Sequence, residues 1–138
     1  MVSLRSVKRL FTHEATVTGQ RQVGTEDDGF GGTQPTTESV SLSIDGRFES
    51  DGRVLTRQFR GLDEMDGPLF VCFGDGLAEW DDAPEGYEEE TAAPYVIQTD
   101  DTVTFASMTG EFEIREIEPL HLDSSMPELV VINPVEVG

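Results

Sequence analysis

Lysine, histidine and cysteine are almost absent from the sequence. Among its 138 residues there are one lysine (Lys8), two histidines (His13 and His121) and one cysteine (Cys72). A lone cysteine excludes an internal disulfide and fits a reducing compartment. These few side chains do not readily supply the nitrogen and sulfur ligands of a zinc site. Cys72 stands in the middle of an apolar run, which indicates a buried thiol and not a nucleophile.

Long apolar segments are also missing. No run approaches the roughly 20 apolar residues of a membrane-spanning helix, and residues 1–15 have no apolar core of signal-peptide length. We therefore expect a soluble chain that is made in the cytoplasm and has no membrane partner. A length of 138 residues suits a single domain, 1–138, that buries its own core.

No catalytic or ligand-binding motif stands out. The sequence DGLAEWDDAPEGYEEE is acidic but misses the ligand spacing of a calcium loop. The sequence DGFGG lacks the following helix and the basic residue of a phosphate-binding loop. Among 28 acidic residues, carboxylate pairs of the glycosidase type arise by chance. We therefore predict no catalytic residue, no metal site, no cofactor and no enzymatic activity.

Acidic residues are what the chain has in excess. They number 28 against 9 lysines and arginines, which gives a net charge of −19. Carboxylates hold water and cations, and molar salt screens their mutual repulsion within about 3 Å. The composition therefore favours a protein of a high-salt cytoplasm. An acidic wall that faces a polyanion or a cationic ligand is the functional alternative, and the two interpretations are compatible.

The charge is divided unevenly along the chain. Residues 1–60 contain eight basic and eight acidic side chains, whereas residues 61–138 contain 20 acidic residues and a single arginine, Arg115. Salt adaptation alone would spread the acid evenly. The division indicates one face that docks on acidic neighbours and one that stays in water. Direct nucleic-acid binding by the second half is not expected, because phosphate neutralisation needs clustered lysine and arginine.

Alternation of apolar and polar residues predicts β-strands. In ESVSLSIDGRFE (38–49), the apolar residues from Val40 to Ile44 share one face and the serines the other, before a bend at Asp45-Gly46. Short strands at about ten-residue spacing favour an all-β fold, a small antiparallel barrel or sandwich. The further predicted strands are 53–60, 68–74, 94–98, 102–108, 111–122 and 128–137.

Several details refine this prediction. The run 68–74 is continuously apolar, so we expect it to be covered on both faces. The apolar phase slips in 111–122, which predicts a bulge or a strand end near Glu116. Pro134 puts the end of the last strand on a sheet edge, and only residues 3–11 have helical spacing. Turns are expected at Asp100-Asp101 and, within a hairpin, at Thr109-Gly110.

Two stretches resist assignment to strands. One is a glycine-rich loop, 24–37, and the other is an acidic loop, 74–94, with eight acids in 21 residues. Long loops in a compact domain are usually functional or disordered. Trp80 and Tyr87 in the acidic loop argue against simple disorder, because such side chains seek a surface to cover.

The predicted pieces follow one another in a definite order. An opening strand HEATVTGQRQV (13–23) and a loop DDGFGGTQPT (27–36) precede the strand 38–49, and a hairpin (101–123) and a last strand (128–133) follow. Over about two thirds of the chain, this order resembles the head-closure (stopper) proteins of long-tailed phages, a family that joins head to tail. A middle section, roughly 60–94, is longer and more acidic than the family pattern, and this leaves open which loop projects into the channel.

The resemblance implies a mechanical role in the virion neck of a tailed virus, here one of a halophilic archaeon. Family members form a small β-barrel that assembles as a closed ring between the portal–adaptor complex and the tail. The implied partners are further copies of the chain, the portal or head–tail adaptor above, and the tail terminator or tail-tube protein below. Genomic DNA passes through the lumen without sequence-specific binding.

Three groups of residues are candidates for that role. Each also has a simpler interpretation, as a mobile turn, a solvated acidic loop or ordinary surface charge. The candidate channel or gating loop is Asp27, Asp28, Gly29, Phe30, Gly31 and Gly32. The acidic loop, a second candidate plug, contributes Asp75, Glu79, Trp80, Asp81, Asp82 and Tyr87. The candidate interface, in which arginines pair with acidic neighbours across the ring, is Arg47, Arg53, Arg57 and Arg60.

Two other functions stay open. One is a different structural role in the same virion, as a tail, tail-terminator or capsid-decoration protein. The other is a cytosolic β-barrel of a halophile that binds a ligand or acts as an enzyme. A terminator would have α/β patterning, and a decoration protein would lack a lumen. A binding module or enzyme would have a concave pocket with convergent polar groups.

Overall fold

Six antiparallel strands form the chain's architecture in the computed structural model, which describes residues 9–50, 67–83, 95–106, 108–120 and 128–137. The strands are β1 (His13–Asp27), β2 (Thr33–Glu49), β3 (Leu69–Phe73), β4 (Thr102–Phe105), β5 (Glu111–Leu120) and β6 (Leu129–Val137). Neighbouring strands follow the order β1, β2, β3, β6, β5, β4, and β4 pairs back onto β1 to close a barrel. The predicted all-β fold is confirmed, in its barrel form.

Apolar side chains at alternate positions fill the barrel. Ala15 and Val17 of β1 and Val40, Leu42 and Ile44 of β2 are buried in the core. An aromatic cluster from four other positions packs with ring centroids 4.7 to 6.1 Å apart, in tilted or edge-on geometry. Aromatic pairs of this kind contribute about 0.5–1.5 kcal/mol beyond the area they bury. The cluster consists of Phe48, Phe70, Phe105 and Phe112.

Strand β3 is buried on both faces, as its continuous apolar run predicted. Cys72 belongs to the core cluster, whereas Leu69 and Val71 are buried outside it. Next to them, the ring of Phe11 meets the ring of Phe73 edge-on, with centroids 5.0 Å apart. The residues before β1 therefore help to cover the outer side of β3.

Strand β5 contains the predicted bulge. Its pairing with β6 shifts between Ile114 and Glu116, so that Arg115 is the extra residue. The bulge resets the phase of the strand, and both Ile114 and the later Ile117 contact the core. The slip in apolar phase therefore marks a bulge and not the end of the strand.

The β4–β5 hairpin and the end of β6 also follow the prediction. Val103 pairs with Phe112, and the turn between the strands contains Gly110 with a φ of 104°. Pro134 lies beyond Ile132, the last residue of β6 in its pairing with β3. Within the described residues, β6 therefore has a single strand partner at the proline, which lacks an N–H group for a second.

The predicted loop at 24–37 is wrong for most of its length. The strands continue through it, and pairs as distal as Gly24 with Thr36 and Asp27 with Thr33 are formed. The chain turns only over residues 28–32. Ladder hydrogen bonds join backbone groups, so a polar two-stranded ribbon needs no apolar alternation and is easily taken for a loop.

The predicted bend at Asp45-Gly46 is also wrong, because β2 runs straight on to Glu49. A Cβ atom on Gly46 would collide with the ring of Phe70 and the carbonyl oxygen of Val71. The glycine is therefore explained by the close approach of β3 and not by a turn.

The predicted strand at 94–98 is wrong as well. Tyr95, Val96 and Ile97 are buried, yet they form an irregular segment. The backbone N–H of Val96 donates to the carbonyl of Leu77 at 2.9 Å, which joins two non-strand segments. Burial of an apolar run was predicted correctly here, and its backbone conformation was not.

Other predictions fall outside the described residues. These are the strand at 53–60, most of the helix at 3–11, of which Arg9 and Leu10 are described and helical, and the acidic loop from residue 84 onward. No helix in the described ranges has the length and apolar character needed to cross a membrane. Four candidate site residues also fall outside: Arg53, Arg57, Arg60 and Tyr87.

Candidate functional site: a projecting ribbon and the cleft at its base

The hairpin of β1 and β2 extends past the barrel as a two-stranded ribbon, residues 19–40. β1 pairs with β4 only from Ala15 to Thr18, and β2 pairs with β3 only from Gly46 to Glu49. Within the described residues, the ribbon has no other strand partner. Its distal side chains in β2 are exposed or half-buried. Beyond its buried base at Arg21 and Val40, the ribbon is thus a thin arm with neither face covered by another layer of described residues.

Hydrogen bonds fix the tip of the ribbon. The carboxylates of Asp27 and Asp28 act as acceptors for backbone N–H groups of the turn, in the manner of Asx turns. The bonds are Gly29 to Asp27 Oδ1 at 2.8 Å, and Phe30 and Gly32 to Asp28 Oδ1 at 2.7 and 3.1 Å. The candidate gating loop is therefore a preformed turn at the end of the ribbon.

Phe30 is the most exposed large hydrophobic residue that the structure describes. Its side chain is 94% exposed. Gly29 and Gly31 beside it have positive φ angles of 84° and 85°, and no described atom lies within 4 Å of a Cβ built on either. An aromatic ring held in water forgoes about 1.5–3 kcal/mol that burial would contribute. A surface that covers Phe30 would gain that free energy.

A buried ion pair joins the base of the ribbon to the barrel. Arg21 binds both carboxylate oxygens of Asp101, with Nη1 at 2.8 Å and Nη2 at 2.7 Å. Nη2 also donates to the carbonyl of Val96 at 3.1 Å, and the guanidinium lies 5.0 Å from the ring centroid of Trp80. Both side chains are less than a tenth exposed. A Cβ on Gly19 would lie 2.5 Å from both charged groups, so only glycine leaves room for the pair.

The first part of the acidic loop is anchored to the outer edge of β2. Asp81 Oδ2 accepts a hydrogen bond from Ser43 N at 2.8 Å, and Asp81 N donates to Ser41 O at 2.9 Å. Asp82 accepts from the backbone N–H and the hydroxyl of Ser41. Trp80 is buried, as expected of an aromatic that seeks a surface. Asp81 and Asp82 thus stand in for a neighbouring strand, while Asp75 and Glu79 point into solvent.

A polar cleft of about 490 Å³ opens where β1 parts from β4. Its walls include the segment from Thr18 to Arg21, Ser39 and residues 98–102. Asp100 has a φ of 77° and is the one described residue other than glycine with a positive φ. It makes the predicted turn, which leads the chain away from the ribbon. Hydroxyl, amide and carboxylate groups of the cleft can bind a polar ligand.

Arg47 is the candidate interface residue that the structure describes. Its Nη2 lies 3.3 Å from Glu49 Oε2 on the same strand, and both side chains are partly exposed. Surface pairs of this type contribute about 0–1 kcal/mol. The charge of Arg47 is therefore already countered within the chain, which weakens its case as a contact for acidic neighbours.

Reactive chemistry is not assembled at these sites. Burial raises the pKa of the Cys72 thiol, and Asp75 raises it further, so the group stays protonated and inert. Burial raises the pKa of the Tyr95 hydroxyl in the same direction, with a smaller contribution from Glu128. Among the described residues, no group of three or more histidine, cysteine, aspartate or glutamate side chains has metal-binding geometry.

The structure separates the two candidate loops. The predicted gating residues 27–32 lie together at the ribbon tip, whereas Asp81 and Asp82 of the acidic loop lie against the side of β2. Sequence reasoning missed Arg21 and Asp101. A usable signal was present, because Arg21 continues the inward-facing row of Ala15 and Val17, where a charge is out of place without a buried partner.

In comparisons with known proteins, no protein-family model matches the chain, and no curated protein sequence has significant similarity to it. Function is therefore inferred from the geometry and charge of the chain, together with the family resemblance of its sequence.

Proposed function

We propose that the chain is a structural connector of a tailed virus, a head-closure protein that forms a ring between the portal–adaptor complex and the tail. In this role it retains packaged DNA and offers the tail a docking surface. Its partners are other copies of itself, the portal or head–tail adaptor, the tail terminator or tail-tube protein, and the passing genome. The family resemblance of the sequence motivates the proposal.

The observation that carries the proposal is the ribbon. A filled barrel with a two-stranded arm that ends in a preformed turn is suited to reaching a neighbouring subunit or a channel axis. Among the described residues, no group of three or more histidine, cysteine, aspartate or glutamate side chains has metal-binding geometry beside it. The ion pair of Arg21 with Asp101 holds the arm at its base, so its direction is set by the barrel.

Charge supports a passage for DNA. With a net charge of −19, the chain repels a polyanion, so DNA would cross a lumen of such subunits without adhering. The ribbon tip, residues 27–32, remains our candidate for the gate. The described part of the acidic loop is a weaker candidate, because Asp81 and Asp82 are bound to β2 and Trp80 is buried.

The test is to locate the chain in purified particles by mass spectrometry, with its copy number per particle. We expect a copy number that matches one neck ring, six or twelve. Light scattering of the isolated chain in molar salt then measures whether rings form without neighbours. A count in the hundreds would identify a capsid-decoration or tail protein instead, and absence from particles would remove every virion role.

The cleft favours a second candidate, a ligand-binding module of a halophile. Its walls at the ribbon base include Thr18, Gln98 and Asp100, which bear hydroxyl, amide and carboxylate groups, the kinds of group that fix a polar ligand in a binding site. Such a module would bind a small polar ligand, and a thermal-shift screen with sugars, polyols and amines would detect it. A ligand that raises the melting temperature of the wild type but not of a Gln98→Ala variant would favour this candidate over the connector.

A further inference from the structure

The ribbon tip presents one exposed aromatic side chain next to a run of three acidic residues. Phe30 is 94% exposed. Glu26, Asp27 and Asp28 precede it, and the sequence has no lysine or arginine from residue 22 to residue 46. The nearest arginine along β1, Arg21, is buried against Asp101. The negative charge of the tip is therefore not balanced by any cation of the ribbon's own distal sequence.

We propose that the tip docks on a different protein, where Phe30 fills an apolar pocket whose rim carries lysine or arginine side chains. Buried aromatic side chains are typical anchors of protein interfaces. The Asx hydrogen bonds hold the turn in one shape before contact, so docking costs little ordering entropy. The carboxylates would steer the tip toward a basic rim and fix its orientation there.

Within the surface that the structure describes, charge argues against a second copy of the chain and against a membrane as the partner of Phe30. A second copy offers, among the described residues, exposed apolar side chains at Met108, Val135 and Val137. Glu111 pairs with Val137 and Glu136 lies beside it, so the acidic tip would meet acid there. A membrane with anionic lipids repels the tip for the same reason.

The inference concerns the partner of the tip and does not require that the chain closes into a ring. Its test is photo-crosslinking with p-benzoylphenylalanine in place of Phe30, in the cells and particles that contain the chain. The matched control carries the same crosslinker in place of Thr37, which is exposed on the shaft of the ribbon. Digestion and mass spectrometry identify the crosslinked peptide.

We expect the position-30 probe to form an adduct with one other protein, at an apolar peptide flanked by lysine or arginine, and the position-37 probe not to. The double variant Asp27→Asn, Asp28→Asn should lower the adduct yield several-fold, because asparagine keeps the acceptor oxygens of the turn and removes the charge. Against the identified partner, Phe30→Ser should weaken binding about 30-fold.

Three outcomes would overturn the proposal. The first is an adduct with another copy of this chain, and the second is an adduct with lipid. The third is an adduct yield at position 30 no higher than at position 37. Phe30 makes no described contact with the barrel, so its replacement should leave the fold intact. Circular dichroism of each variant verifies that it is folded, and loss of the adduct in a folded variant then reports on docking alone.

Discussion

The barrel and the ribbon share strands β1 and β2, but the side chains of these strands are used differently in the two regions. In the barrel, the residues of β2 alternate between a buried and a solvent-facing row, and Val40, Leu42 and Ile44 are buried. In the ribbon, the same strand has no buried residue before Val40. Backbone pairing continues through both halves, with one register shift in the ribbon, between Gln22 and Gly24. The difference is therefore in what the side chains are used for, and not in secondary structure.

The comparison shows where the free energy of folding resides. The barrel derives its stability from apolar burial, at roughly 25 cal/mol for each Å² removed from water. The ribbon buries little apolar surface. Its order therefore depends on ladder hydrogen bonds, the Asx turn at the tip and the ion pair at its base. Isolated two-stranded hairpins are at best marginally stable in water. The ion pair between Arg21 and Asp101 thus holds the hairpin in a fixed direction relative to the barrel.

The largest effect on stability is expected from breaking the ion pair between Arg21 and Asp101. Asp101→Ala leaves the Arg21 guanidinium buried without its carboxylate, which should lower the free energy of unfolding by about 3–5 kcal/mol. Urea titration in a constant molar concentration of KCl measures it. The double variant Arg21→Met, Asp101→Leu should recover most of the loss, because no charge is then buried. Equal instability of the single and double variants would contradict a role for the ion pair.

Two residues of β2, one buried in the barrel and one exposed on the ribbon, give the sharpest test of the difference between the two regions. Leu42 is 1% exposed in the barrel, so Leu42→Ala should cost about 2–5 kcal/mol through lost burial and a cavity. Thr37 is exposed on the ribbon, and Thr37→Ala should change stability by less than about 0.5 kcal/mol. Comparable losses at both positions in urea titrations would show that the ribbon is part of the cooperative core.

A smaller effect is expected where the acidic loop replaces a strand. The double variant Asp81→Ala, Asp82→Ala removes the acceptors for the N–H groups of Ser41 and Ser43. The free energy of unfolding should fall by about 1–2 kcal/mol. These hydrogen bonds are exposed to solvent, so water replaces part of each bond that is lost. Hydrogen exchange followed by mass spectrometry should show faster exchange in 39–45. Unchanged exchange there would mean that the carboxylates do not protect this edge.

The smallest effect is a loss of stability in alkali from Cys72. Burial raises the pKa of its thiol above the ordinary value of 9.0. The folded state therefore binds the proton more tightly, and its stabilisation is complete below pH 9 and declines as the unfolded thiol ionises. At pH 9.5 the loss is about 0.8 kcal/mol. Cys72→Ala should show a shallower decline between pH 8 and pH 10, and an identical decline would contradict the assignment.

The sequence predicted the barrel well because apolar periodicity and burial coincide there. The alternation around Leu42, the continuous run of β3 and the phase slip at Glu116 each have a direct counterpart in the structure. The prediction failed where the packing of a residue does not reveal its backbone conformation. Residues 95–97 are apolar and buried without being a strand, and Gly46 marks a close strand approach and not a turn.

The candidate site was predictable only in part. The tip residues 27–32 were identified from their glycines and acids, but their placement on a long ribbon was not, since polar strands have no apolar pattern. The pairing of Arg21 with Asp101 spans 80 residues. No local spacing reveals such a contact, and only the charge in an inward-facing row hints at it.

In the proposed connector, a filled barrel carries its ribbon as an arm within a ring around a passage. A cryo-electron microscopy reconstruction of the particle neck would reveal this arrangement. We expect a closed ring of this chain between head and tail, with each ribbon leaving its own barrel to touch a neighbour or the channel axis. A neck built without this chain, or copies present there with ribbons folded back into solvent, would overturn the proposal.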